Sequence, residues 1–131
     1  MRKLLACALL VLPSAASADV FIVDYAEWKR VPKEYRMFYV AGVWDRGAHL
    51  LPFDAGPYYL ADYVGINDCA KKTQITAEKL VTLVDTYYQH RVDARSQPPF
   101  IVLTKALLDQ CAAYINDARA KRGLEPLKIS R

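Results

Sequence analysis

The sequence predicts a small all-α domain, a single helical bundle closed by one internal disulfide. Three observations carry that expectation. Apolar residues recur at helical spacing in three separate segments. No pair of alternating apolar-polar runs joined by a tight turn occurs anywhere in the chain. Two cysteines, Cys69 and Cys111, remain once the N-terminal segment is set aside.

That segment has the make-up of a secretory signal peptide. Arg2 and Lys3 give a basic start, 4–12 is an apolar run, Pro13 and Ser14 break it, and Ala16, Ser17 and Ala18 form a small-x-small cleavage pattern. The apolar run is too short to span a bilayer core of ~30 Å. Residues 1–18 are therefore expected to be removed on export, leaving the fold to 19–131 and placing it in the periplasm. Cys7 leaves with the leader. In an oxidising compartment the two remaining cysteines most simply pair with each other. The alternative is a free catalytic thiol, which would need a base close by.

The chain's formal charge of +4 falls to about +2 when Arg2 and Lys3 are lost, with acids and bases interspersed. No basic stripe alternates with aromatics, so a nucleic-acid partner is not expected. No second apolar run reaches the length of a membrane span, so membrane insertion is not expected either. At roughly 110 residues the mature chain makes one domain with a modest core. All nine tyrosines lie in it.

Segment 20–31 reads as a short helix carrying Trp28 and stopped by Pro32, with 20–23 the one run that competes as a strand. A second helix is expected over 33–51, with Met37, Val40, Ala41, Trp44, Ala48 and Leu51 on one stripe. Within it Gly42 marks a place where another backbone approaches closely. From 52 to 73 the periodicity fails among Pro52, Gly56, Pro57, Gly65 and Asn67. This stretch reads as a long loop with one helical turn at 59–63, pinned by Cys69. Thr76 then caps a helix with Glu78 in its first turn and Leu80, Leu83, Val84, Tyr87 and Tyr88 on one face. Segment 91–97 is a polar connection. Pro98 and Pro99 open a last helix whose stripe is Leu103, Leu107, Leu108, Cys111, Tyr114, Ile115 and Ala118. Gly123 stops it, and a loose tail follows from 124.

The chain offers no catalytic set. Ser96 and Ser130 lack a nucleophile setting, His49 and His90 stand far apart, and no metal-ligand, GxGxxG or P-loop spacing occurs. Asp45, Asp54 and Asp62 could be paired for hydrolysis, but they read better as solvated charges and caps. Neither enzyme activity nor a metal or other cofactor is expected. What remains is a binding surface. Phe53, Asp54, Tyr58, Tyr59 and Asp62 combine aromatics with acids, the make-up of a protein interface, because tyrosine supplies contact area at low entropic cost. Tyr63 is divided between that surface and the core.

The order of motifs adds a resemblance. Phe38, Tyr39, Gly42, Trp44 and Asp45 in one helix are followed by Cys69. Next come Thr76 and Glu78, opening a helix with the paired Tyr87 and Tyr88, and then 102–111 leading to Cys111. This order resembles the Rap/Tai-type immunity proteins of bacterial type VI secretion systems over roughly 35–111 of the chain. The chain departs from their pattern in having Tyr39 where a cysteine is frequent, His90 and Arg91 where a proline is common, and a helix continuing past Cys111. The resemblance implies a helical periplasmic fold with a disulfide matching Cys69 and Cys111. It also implies a secreted toxic effector as partner, such as a cell-wall amidase, inhibited by a loop entering its active site, and it allows a homodimer. By position, that loop is 52–63. The alternative is a stand-alone periplasmic helical protein that binds envelope components or clients under stress.

Overall fold

The computed structural model describes residues 22–49 and 56–128. The expected leader and cleavage site, together with Phe53 and Asp54, lie outside the described residues. Among those described, the elements are α1 (Tyr25–Arg30), α2 (Lys33–His49), α3 (Pro57–Thr73), α4 (Ala77–His90), a 3-10 helix (Val92–Ser96), α5 (Pro99–Gln110) and α6 (Ala112–Ala120), with no strand. No helix among them is long and apolar enough to cross a membrane. The all-α expectation holds.

Local chemistry sets the helix ends. Asp24 caps α1 by accepting from the Glu27 N–H at 2.9 Å, and Thr76 caps α4 by accepting from the Lys79 N–H. The expected Arg91–Gln97 connection closes into the 3-10 turn. Residues 22 and 23, half of the stretch that competed as a strand, are irregular.

Two apolar centres form. The larger joins α1, α2, α4, the 3-10 turn and α5 around Trp28, Val40, Leu80, Val84, Tyr88, Val102 and Leu103. Trp28 is its anchor: it is fully buried, its indole N–H donates to Asp85 at 2.7 Å, and Arg36 reaches the same carboxylate at 3.1 and 3.2 Å. Tyr88, also fully buried, donates its hydroxyl to the Gln97 carbonyl at 2.7 Å, and burial pushes its phenol up from the ordinary tyrosine range. Lys33 pairs with Glu78, tying the start of α2 to the first turn of α4.

The smaller centre lies between α3 and α6, around Cys69, Cys111 and Ile115, with Ile66, Leu108, Tyr114 and Leu127 against it. Cys69 and Cys111 are bonded, their Cα atoms 5.6 Å apart. In the chain-entropy model a bond across 42 residues stabilises the fold by roughly 4 kcal/mol.

Four expectations are corrected. The long loop of 52–73 is, from Pro57 onward, the helix α3: Gly56 sits at the N-cap, Pro57 opens the first turn, and Gln74 ends it in the left-handed region at φ 51°. Its periodicity was hidden because the seam it buries is made of small residues, Ala61, Gly65 and Cys69. The close backbone approach is at Gly65, not Gly42. A Cβ at Gly65 would lie 2.4 Å from the Ile115 Cα, whereas nothing lies within 4 Å of one at Gly42. The single last helix is two, broken at Cys111 (φ −99°, ψ 9°), where α5 ends and α6 begins. Lastly, the segment after 124 folds back: the Leu127 N–H donates to the Asn116 side chain at 2.7 Å and the Leu124 N–H to the Arg119 carbonyl at 3.0 Å.

Candidate binding site

α3 runs antiparallel to α6, and three contacts hold them in step. Cys69 is bonded to Cys111, the Gly65 backbone lies against Ile115, and Asp62 pairs with Arg119. That pairing is bidentate, Nε to Oδ1 at 2.6 Å and Nη2 to Oδ2 at 2.7 Å, and Arg119 also donates to the Glu125 carbonyl at 3.3 Å. The hydrogen bonds to Asp62 hold the Arg119 guanidinium in its charged form. Tyr58, one turn before Asp62, places its ring under the same guanidinium at 5.1 Å.

With that face of α3 turned to α6, helical geometry sends Tyr59, Tyr63 and Asn67 away from it, and Ile66 borders both the α6 seam and this second face. There they form one wall of a cleft of about 330 Å³. Val43, Trp44 and Gly47 of α2 and Leu103, Thr104, Leu107 and Leu108 of α5 complete it. Its walls are predominantly apolar, and much of its polar inventory is already engaged. The Asn67 amide donates to the Tyr63 carbonyl at 2.8 Å, Thr104 donates to the Phe100 carbonyl at 2.9 Å, and Asp62 holds Arg119. Such a site receives apolar or aromatic groups by burial rather than by ionic pairing.

The first turn of α3 exposes three bulky residues in succession, Tyr58 at 44%, Tyr59 at 46% and Leu60 at 39%, and of these Tyr59 lines the cleft. Tyr58 and Tyr59 are exposed, as expected, although on a helix rather than a loop. Tyr63 is half-buried and lines the cleft. Asp62 borders the cleft with its carboxylate committed to Arg119 of α6, and Phe53 and Asp54 lie outside the described residues. Sequence reasoning missed Leu60, the α2 and α5 walls and Arg119. The one signal for Arg119 was its place beside Ala118 and four residues after Ile115, an arginine on the inward face of a helix.

Converting Asp62 to asparagine should cost about 2 kcal/mol, because nearly buried Arg119 would lose its counter-charge. A thermal melt checks it. An unchanged midpoint with lost partner binding would instead make Asp62 a contact residue. Compared with known protein families, with curated proteins and with solved structures, the chain matches none.

Proposed function

We propose that this chain is an exported, non-enzymatic binding protein of the immunity type, which neutralises a toxic effector, such as a cell-wall amidase, through the N-terminal turn of α3 and the cleft beside it. The observation that carries the reading is the run of exposed Tyr58, Tyr59 and Leu60 on the first turn of α3, with Tyr59 also lining a largely apolar cleft. Aromatic anchors next to a desolvated pocket are where protein interfaces concentrate their energy. The signal-peptide pattern and the order of motifs in the sequence support the same reading.

The test is capture of a partner from the host's own secreted and periplasmic proteins by the full chain. A single partner held at equal stoichiometry, and toxic when produced alone in the periplasm, is the expected result. Tyr58→Ala combined with Tyr59→Ala should weaken it about 100-fold while changing stability by under ~1 kcal/mol. A second reading is a stand-alone envelope protein with several clients. It is favoured by Tyr35 and Phe38, 66% and 75% exposed one turn apart on α2, which give a separate apolar face. Capture of many unrelated envelope proteins, with binding lost on Phe38→Ala and retained in the double tyrosine variant, would replace the first reading with this one.

A further inference from the structure

The two apolar centres are unequally secured. None of the residues that build the larger one comes from α3 or α6. Its own elements close on each other, α2 against α4 and α5, α4 against α5, and α1 against the 3-10 turn. The smaller centre has three fully buried members, two of which are the bonded cysteines. Toward α2 and α5, α3 faces the cleft rather than a packed interface. Helix α3 carries Gly65 in its middle and has no side-chain hydrogen bond at its N-cap, and a 17-residue helix of that make-up has little stability of its own.

We infer that the Cys69–Cys111 bond is a redox latch on the α3–α6 layer. Oxidised, it holds α3 in place. Reduced, the layer opens while the α1–α2–α4–α5 core stays folded. The chemistry is exchange with a dithiol. One thiolate of the reductant attacks a half-cystine sulfur, the Cys69–Cys111 bond breaks, and the departing sulfur takes up a proton. The second thiol of the reductant then resolves the mixed disulfide. Two electrons and two protons pass to the protein, which ends with two thiols, and the reductant ends as a cyclic disulfide. Both half-cystines are fully buried, so attack waits on separation of α3 from α6.

The consequence for binding rests on the function proposed above: Tyr58 and Tyr59 are presented only after oxidation. The chain is then unable to engage a partner in a reducing compartment and becomes competent in an oxidising one.

Hydrogen exchange on the oxidised and dithiol-reduced full chain tests the latch without any partner. Amides of α3 and α6 should exchange roughly 10³-fold faster after reduction, while those of α4 and α5 change by less than about tenfold. Cys69→Ala with Cys111→Ala should match the reduced chain, and Gly65→Ala should be reduced faster than the parent. Equal loss of protection in all four helices would overturn the latch, because the fold would then open as one unit. Unchanged protection in α3 and α6 would overturn it equally. If α3 opens as expected yet a captured toxin binds the reduced chain undiminished, the latch stands and the placement of the binding face on α3 falls.

Discussion

Trp28→Ala should lower the unfolding free energy by about 5 kcal/mol, read as a fall of roughly 3 M in the urea midpoint. The indole is fully buried and joins α1 to α2 and α4, packing edge-on against Tyr39 at 5.8 Å and lying beneath Arg36 at 5.5 Å. Removing it leaves a cavity that rigid helices on several sides cannot close, and it strips Asp85 of a 2.7 Å donor. Trp28→Phe separates the two losses. It retains most of the ring and gives up the hydrogen bond, and should cost about 2 kcal/mol. A midpoint moved by less than 1 M in Trp28→Ala would mean that α1 is not part of the core, and the domain would have to be held by α2, α4 and α5 alone.

Gly65→Ala should destabilise by about 3 kcal/mol, even though alanine is the better helix former by ~1 kcal/mol. The new methyl would sit 2.4 Å from the Ile115 Cα, 2.7 Å from its nitrogen and 2.9 Å from the Tyr114 carbonyl carbon. All three are backbone atoms, so no change of rotamer relieves the overlap. The helices must part by roughly 1 Å to regain van der Waals distance. They would do so between a covalent bond on one side and a bidentate ion pair on the other, straining both. Gly42→Ala is the natural contrast: the position is exposed, nothing lies within 4 Å, and the substitution should stabilise by up to ~1 kcal/mol. Thermal melts of the two variants should move in opposite directions. Movement in the same direction would show that the α3–α6 seam is looser than a glycine contact.

How far the fold was legible depended on what each helix buries. α4 buries Leu80, Val81, Val84 and Tyr88, bulky residues at helical spacing behind a threonine cap, and its bounds were readable almost to the residue. α2 was readable for the same reason, with Val40 at its centre. α3 buries only Ala61, Gly65 and Cys69, and a seam of small residues has no hydrophobic periodicity to detect. A glycine that is a loop signal in isolation is here the condition for helix contact, and nothing local distinguishes the two. Gly42 misled for the mirror-image reason. The pairing of the cysteines was legible from their number and expected compartment. The break at Cys111 was not, because the apolar stripe runs straight through it. Of the binding surface, Tyr58 and Tyr59 were legible as exposed aromatics. The cleft was not, since its walls come from three helices and its lining runs from Val43 to Leu108.

The step-for-step pairing of α3 with α6 has a bearing on how this chain can vary in length. Asp62, Gly65 and Cys69 meet Arg119, Ile115 and Cys111 at successive turns. One residue added to or deleted from either helix between its outer contacts would turn part of the seam by about 100° and shift it by about 1.5 Å along the axis. The ion pair, the glycine contact and the cysteine bridge could not then all be made at once. Over these two turns the spacing between residues is under the same constraint as their identity, so variants that gain or lose a residue within 62–69 or 111–119 should be rejected.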